Sequence, residues 1–242
     1  MHAAGDIRPE KSNSVNFTGT INLCKSLEKN PPKQLVFISS VQVYGKTSGI
    51  DLDESTPIKP TSPYGKSKYD AETYLIEWSK NHNVILTILR PPLILGTGMK
   101  GTLRSMVNGI YRGYYHHIKG NQARRSIIHA TDVAKVVKLI SPIGGSYNIT
   151  DGVNPSVYDL AEALSYRIGN KRIYTISMKF ANFLAKIGDI INCDKFPLTS
   201  KKLAQLTETL TFNGDAIKNV IDWSPNNVTD YLRNHNYDEN SL

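Results

Sequence analysis

The sequence predicts an α/β protein built on a parallel β-sheet, with helical material added late in the chain. Short continuous apolar runs at Gln34–Ser40 and Val84–Leu89 are typical of strands that are buried on both faces of a parallel sheet. Helical patterns alternate with these runs, as in βαβ units. The length of 242 residues, with 40% hydrophobic and 21% charged residues, allows one large domain or a core domain with a small lobe.

The first half supplies the predicted sheet and two helices. A mostly apolar stripe predicts a helix over Asn13–Lys29, which Pro31 and Pro32 end. The strand Gln34–Ser40 leads into a long loop, Val41–Pro63, that is rich in glycine and proline, and loops of this length in a compact domain are usually functional. A helix over Tyr64–Asn81 then precedes the strand Val84–Leu89.

The second half is more helical. The predicted elements are a helix Leu103–Ile110 followed by a Tyr/His/Gly-rich loop, a helix from a Thr131-Asp132 cap to Ile140, a strand Ser146–Thr150, a helix Ser156–Ile168 between the caps Ser156 and Gly169, and a helix Ile176–Ile191. The last of these is apolar with interspersed charges. We interpret it as a core-facing amphipathic helix in preference to one that lies on a membrane.

Charge and cysteine content narrow the class of protein. The net charge of +8 favours anionic partners, although a solvated basic surface explains it equally simply, and no nucleic-acid-binding motif is visible. Cys24 and Cys193 form neither a disulfide framework nor a metal site, so we expect a reducing cytoplasm. No apolar run is long enough to span a membrane, and the start of the chain does not resemble a signal peptide.

Ser40, Tyr64 and Lys68 are the candidate catalytic residues. Ser40 follows a predicted parallel strand, where open α/β sheets place their ligand crevice. Tyr64 and Lys68 are four residues apart at the start of a helix and so share one face. An ammonium beside a tyrosine favours the phenolate, and a pKa lowered by about three units requires roughly 4 kcal/mol. A lysine together with a cofactor's positive ring could supply this, and the serine hydroxyl could hold the substrate oxygen.

Two further patterns in the sequence are interpreted as coincidences. Tyr-x-x-x-Lys occurs about once by chance in a chain of this composition. A second copy, Tyr115–Lys119, lies between two glycines and is too short for a helix. The segment Gly96–Gly101 fits the dinucleotide pattern G-x-G-x-x-G, but Pro91-Pro92 should break the strand before it, and no acidic strand end follows.

Several segments together resemble the extended short-chain dehydrogenase/reductase superfamily, and within it the NAD-dependent epimerase/dehydratase group that acts on nucleotide sugars. The resemblance is collinear over almost the whole chain. Its main segments are VFISSVQVYG at 36–45, ESTPIKPTSPYGKSK at 54–68, ILRPPLILG at 88–96 and RSIIHATDVA at 125–134.

The resemblance implies a role for each matched residue. Ser40 orients the substrate, Tyr64 is the acid/base, and Lys68 lowers its pKa and holds the nicotinamide ribose. The implied cofactor contacts are Ala3, Ala4, Gly5, Asn16, Tyr64, Lys68, Pro91 and Pro92, and the implied substrate contacts are Ser40, Gln42 and Arg125. Arg125 would grip the nucleotide diphosphate, because a guanidinium binds phosphate oxygens bidentately.

The chain also departs from the family pattern. Val41-Gln42 stands where dehydratases and decarboxylases usually carry an acidic residue, which disfavours those activities. Leu93 replaces an asparagine that is common in galactose-type epimerases, so the particular sugar stays open. We therefore expect a nucleotide-sugar epimerase or keto-sugar reductase of surface-polysaccharide synthesis, with a non-catalytic scaffold remnant or a hydroxysteroid-type dehydrogenase as alternatives.

The resemblance also implies the organisation of the protein. We expect a Rossmann-like sheet that lacks its first strands, on the order of 70 residues, and with them the glycine-rich turn, so that these 242 residues bind NAD poorly. Residues 1–95 plus 129–150 would form the partial cofactor domain, and residues 96–128 plus 151–242 a smaller α/β substrate-binding lobe. The implied partners are NAD or NADP, a nucleotide-diphosphate sugar and a second copy of the chain, paired through a four-helix interface that includes the Tyr64 helix.

Overall fold

A computed structural model describes residues 1–3, 5–191, 196 and 198–234. The strands are β1 (Gln34–Ile38), β2 (Gly49–Leu52), β3 (Ile85–Arg90), β4 (Leu93–Leu95), β5 (His116–Ile118), β6 (Ile127–His129), β7 (Gly145–Asn148), β8 (Tyr174–Ile176) and β9 (Leu210–Phe212). The α-helices are α1 (Pro9–Ser12), α2 (Gly19–Leu27), α3 (Pro63–Asn81), α4 (Gly101–Tyr111), α5 (Ala130–Ile140), α6 (Val157–Arg167), α7 (Met178–Ile191), α8 (Ser200–Thr207) and α9 (Val228–Asn234).

A three-stranded parallel sheet in the order β1-β3-β7 forms the centre of the fold, which confirms the predicted α/β class. His2 extends it beyond β1, because its backbone N–H donates to the Val36 carbonyl at 2.8 Å and its carbonyl accepts from the Ile38 N–H at 3.0 Å. Helices cover both faces. Phe37 and Ile88 pack against α2 and α3, whereas Val36 and Leu89 pack against α5. The apolar runs are continuous because both faces are buried.

The helix before β1 is longer than predicted, and its hydrogen-bonding pattern changes from α to π and back to α along its length. It runs as α1, a π-helix at Asn13–Thr18 and α2, and it packs on α3. Prolines after its end stop it, as predicted.

Three predictions about the remaining elements are wrong. The loop Val41–Pro63 contains a 3-10 helix, Val41–Tyr44, and the strand β2, which pairs with β9. The Tyr/His/Gly-rich segment contains β5, which pairs with β8, so Tyr115 and Lys119 flank a strand. Helix α5 begins at Ala130, and its N-cap is His129, two residues before the predicted cap Thr131.

The second core joins α4, α6 and α9, with Leu103, Leu160 and Leu232 among its buried members. Phe212 and Trp223 of the later chain pack instead with residues of the sheet region. Strand β3 ends at Arg90, directly before Pro91-Pro92, as predicted, but a separate strand β4 follows the prolines and pairs with β6. The glycines thus lie in a strand-turn-helix, but outside the β1-β3-β7 sheet. Cys193 lies outside the described residues.

Candidate active site

The chain turns sharply where β1 ends, and this turn places the predicted serine. Ser40 caps the 3-10 helix Val41–Tyr44, its Oγ accepting from the Gln42 N–H at 3.2 Å. The Val41 N–H donates to the Pro91 carbonyl at 3.1 Å, which ties this turn to the end of β3. Ser40 is buried, with 7% of its surface exposed, so it lies beneath the protein surface.

The start of α3 is held against this turn. Ser62 caps the helix, accepting from the Gly65 N–H at 3.0 Å, and its hydroxyl donates to Gln42 Oε1 at 3.1 Å. A Cβ added at Gly65 would lie 2.5 Å from the Gln42 carbonyl oxygen. Glycine at 65 therefore allows the close approach that sets Tyr64 beside Ser40. Gln42 itself is exposed and holds the cap of this helix.

Tyr64 and Lys68 lie on one face of α3, as predicted. Lys68 is 2% exposed, and its Nζ donates to the Ile38 carbonyl at 2.8 Å and lies 4.8 Å from the centre of the Phe37 ring. Desolvation lowers the Lys68 pKa from 10.5 to about 8, and the Glu72 carboxylate opposes this. The Tyr64 side chain is half-buried, and its hydroxyl is near enough to Ser40 for that serine to oppose the rise in its pKa. The structure thus brings the three predicted residues to one place.

The pKa of Tyr64 moves opposite to the sequence-based expectation. Burial raises the pKa of its phenol above 10, and the hydrogen bond with Ser40 opposes that rise. The expectation of a lowered pKa combined Lys68 with the positive ring of a bound cofactor, whereas the raised pKa describes the protein alone. Desolvation disfavours the charged form of both side chains.

Asn16 lies in the π-helix and is fully buried. Its amide nitrogen donates to the Asp6 carbonyl at 3.1 Å and to Ser67 Oγ at 2.9 Å, and its oxygen accepts from the Asp6 N–H at 2.8 Å. All of its polar atoms are thereby used to join the segment after Gly5 to α3. Single π turns inside helices are frequent at functional sites. Here the turn carries an asparagine that positions both sides of the predicted cofactor site.

The remaining predicted cofactor residues line the same end of the sheet. Gly5 is exposed, and a Cβ added to it would lie 3.8 Å from Lys68 Nζ. Ala3 is exposed, Pro91 is buried and Pro92 is half-buried. Ala4 lies outside the described residues.

A buried polar network, absent from the sequence-based prediction, anchors α3 to the sheet. Arg90 at the end of β3 binds both oxygens of Glu72, at 3.1 and 2.7 Å, and donates to the Tyr44 hydroxyl at 3.0 Å. The Tyr44 hydroxyl donates to Asn148 Oδ1 at 2.9 Å, and the Asn148 N–H donates to Glu54 Oε1 at 2.7 Å. The available signal was the spacing of Glu72, four residues after Lys68 and on the same helix face.

Arg125 lies away from this cluster, where β9 and α8 meet. Its Nη2 donates to the Gln205 carbonyl, while its Nη1 is buried without a hydrogen-bond partner. Desolvation lowers the pKa of its guanidinium, which nevertheless stays charged at neutral pH. Gln205 also lines a cavity of about 350 Å³ between α4, β5, β8, α7 and α8. Ser40, Tyr64 and Lys68 are not among the lining residues, so the cavity and the catalytic cluster are separate features.

The sequence pattern of the NAD dependent epimerase/dehydratase family matches residues 2–149, more than half of the chain. The chain belongs to this family.

The chain's relatives include two kinds of 4-epimerase. It is 26% identical over 214 residues to the N-acetyl-alpha-D-glucosaminyl-diphospho-ditrans,octacis-undecaprenol 4-epimerase of Escherichia coli O157:H7, covering 84% of this chain and 64% of the relative. It is 27% identical over 227 residues to the UDP-glucose 4-epimerase of Bacillus subtilis (strain 168), covering 80% and 63%. The chain thus spans less than two thirds of the length of these curated relatives.

Solved structures of family enzymes share the fold. The UDP-Glc/GlcNAc 4-epimerase of Campylobacter jejuni has a TM-score of 0.71 at 17% identity, covering 96% of this chain and 73% of that one. RMD from Pseudomonas aeruginosa, complexed with NADPH, has a TM-score of 0.69 at 19% identity, covering 95% and 77%. These likenesses confirm the Rossmann-type fold.

Proposed function

We propose that this chain carries the acid/base site of an NAD(P)-dependent epimerase that acts at a hydroxyl-bearing carbon of a nucleotide-diphosphate sugar. The meeting of Ser40, Tyr64 and Lys68 beyond the carboxyl end of β1 supports this proposal, together with membership of the family. Keto-sugar reduction would use the same groups, with the proton moving from Tyr64 to the substrate oxygen.

Each residue has a defined task in this proposal. Ser40, which lies beside Tyr64, holds the sugar hydroxyl near the phenol oxygen. Tyr64 takes the proton from that hydroxyl and returns it at the end of the cycle. Lys68 supplies positive charge that stabilises the phenolate while it exists. NAD, held beside Lys68 and the Gly5 segment, would supply the hydride acceptor and donor for the sugar carbon.

The residues present fit one end of this cofactor. Lys68 Nζ faces the bare backbone of Gly5, at a position where a side chain would narrow the space. Asn16 holds the same segment in place from the other side. For the pyrophosphate, the described part of the chain offers no glycine-rich turn between a strand of the β1-β3-β7 sheet and a helix. Weak NAD binding by these 242 residues stays a prediction.

Arg125 and the neighbouring cavity are proposed to hold the part of the substrate that does not react. The buried Nη1 of Arg125 is a donor that a diphosphate oxygen would satisfy. The cavity is lined by apolar side chains together with Thr102, Ser105 and Lys202. A hydroxysteroid-type pocket would be apolar throughout, so this lining favours a diphosphate-linked sugar.

A second substrate class is a polyprenyl-diphosphate-linked sugar. The Escherichia coli relative is named for such a substrate. Leu184 of α7 lines the cavity together with Leu198 and Leu206, and this apolar side suits a prenyl chain better than a nucleoside. Calorimetry with UDP and with farnesyl diphosphate would separate the two classes, because only the favoured tail should add affinity beyond that of pyrophosphate. Arg125→Met should weaken either ligand, and the exposed neighbour Arg124→Met is the matched control.

Turnover tests the catalytic assignment. The chain is incubated with NAD and UDP-glucose or UDP-N-acetylglucosamine, and the 4-epimer is measured by chromatography. Tyr64→Phe should reduce the rate by at least about 10²-fold, while Tyr69→Phe, exposed on the same helix, should not. With enough NAD to fill the site, equal and measurable rates for Tyr64→Phe and the wild type would refute the assignment. No turnover with both ligands bound would favour a non-catalytic scaffold.

The division into domains, the pairing of two copies and the cytoplasmic location are proposed with the function. The core formed by α4, α6 and α9 supports a separate lobe. Phe212 and Trp223, although they come late in the chain, pack against the cofactor domain instead. Cys24 is buried and unbridged, as expected for a reducing compartment. A role in surface-polysaccharide synthesis stays a prediction.

A further inference from the structure

Helix α7 presents an apolar surface that nothing in the described chain covers. Ala181, Ala185 and Gly188 are its buried residues, so this face packs inward. The outward residues include Phe180 at 49%, Phe183 at 59% and Ile190 at 83% exposure. Large exposed apolar side chains grouped on one element mark an interaction site more often than chance exposure.

The exposed apolar residues form one continuous stripe. At about 100° per residue, Phe180, Phe183, Ile190 and Ile191 fall within an arc of about 100°, and the half-buried Ile187 lies inside that arc. Lys179 and Lys186 fall together beside one edge of that arc. Apolar side chains bordered by lysines are typical of helices that lie in a membrane interface, because lysine stems extend along the apolar layer and keep their charge in water.

The charge of the surrounding elements points to an anionic partner. Segments 96–128 and 171–206 form α4, β5, β8, α7 and α8, and they contain thirteen Lys and Arg but only two Asp. This excess of 11 is larger than the +8 of the whole chain, so the remainder is net negative. An excess of positive charge in the segments that form this region, with Lys179 and Lys186 on α7 itself, complements a bilayer surface that contains anionic lipids.

We propose that α7 docks this lobe on the surface of a membrane that contains anionic lipids. The docking is peripheral, since none of the described helices combines the length and apolar character needed to cross a bilayer. Phe183 and Ile190 enter the interfacial layer, and Lys179 and Lys186 contact lipid phosphates. The cavity beside Leu184, on the same helix, then lies close to the bilayer. The proposal does not depend on the catalytic assignment.

Vesicle co-sedimentation of the 242-residue chain tests the proposal. The chain should bind phosphatidylcholine vesicles in which about a third of the lipid is anionic phosphatidylglycerol. Its affinity should fall as the salt concentration rises. The double variant Phe183→Ser/Ile190→Ser should lower the partition constant at least about tenfold. Ile50→Ser removes an equally large side chain that is 74% exposed elsewhere, and it should bind like the wild type. Circular dichroism confirms that the variants stay folded.

A fluorescence experiment locates the contact. Tryptophan in Phe183→Trp should be quenched by brominated lipid, whereas tryptophan in Ile50→Trp should not. Failure of the wild type to bind anionic vesicles, or equal binding by the double variant, would overturn the proposal. A third outcome is that the double variant still binds vesicles but has a different mass by light scattering. That result would overturn membrane docking and assign the stripe to a contact between copies of the chain.

Discussion

Replacing Lys68 with methionine should remove a rise in stability between about pH 8 and pH 10. Burial lowers the pKa of this ammonium to about 8, whereas in the unfolded chain it is about 10.4. Between these values the unfolded state holds the extra proton, so the free energy of unfolding increases with pH. Protonated Lys68 therefore destabilises the fold below pH 8, and this penalty disappears as the group deprotonates.

The magnitude follows from the size of the pKa difference. A lowering from 10.5 to about 8 corresponds to about 3 kcal/mol. At pH 7, methionine removes this penalty but also removes the hydrogen bond from Nζ to the Ile38 carbonyl, a loss of about 1 to 3 kcal/mol. The two effects oppose each other and are of similar size. The slope with pH, and not the stability at one pH, is therefore decisive.

The assay is urea unfolding, followed by circular dichroism at pH 7, 8, 9 and 10. Burial raises the pKa of Cys24 to about 11, which gives an opposite slope in this range, but Cys24 is present in both proteins and cancels in their difference. The stability of the wild type relative to Lys68→Met should rise by about 3 kcal/mol from pH 7 to pH 10. Lys66→Met, exposed on the same helix, should follow the wild-type curve. A constant difference between wild type and Lys68→Met would refute the reasoning.

Three other substitutions test the surroundings of the site. Glu72→Gln leaves the buried Arg90 without its counter-charge and should lower the free energy of unfolding by about 3 to 5 kcal/mol in urea titrations. Gly65→Ala should cost about 1 to 3 kcal/mol, because its Cβ would press on the neighbouring turn, whereas Gly19→Ala, in an open helical position, should gain up to about 1 kcal/mol. Ile76→Glu, at a site 51% exposed on α3, should convert a homodimer to a monomer in light scattering, and an unchanged mass would argue against pairing through α3.

Elements with strong local signals were predictable from the sequence. The strands β1 and β3 are continuous apolar runs, and α3 begins within one residue of its prediction because Ser62 and Pro63 mark its first turn. The strand β2 was missed because its partner β9 lies about 160 residues later and Asp51 within it adopts a φ of +49°. Such pairing depends on tertiary contacts that no local pattern encodes.

The catalytic residues were predictable as a group, but their electrostatics were not. Spacing placed Tyr64 and Lys68 on one face, and the end of a predicted parallel strand added Ser40. The direction of the Tyr64 pKa depends on how much water reaches the phenol, which the packing of the surrounding elements decides. The hydrogen bonds of Asn16 to Asp6 and Ser67 likewise form only because three segments that are separate in sequence come together in the fold.

The face of α3 that carries Tyr64 and Lys68 continues to Glu72, and the charges along this face explain why the ammonium of Lys68 is only partly compensated. Arg90 occupies both oxygens of Glu72, so one carboxylate serves two buried cations. Desolvation then dominates at Lys68, and its pKa falls to about 8. A phenolate at Tyr64 would supply the missing negative charge one turn away. A phenolate formed during turnover would reduce this excess positive charge, whereas in the resting protein burial dominates and keeps the pKa of the Tyr64 phenol above 10.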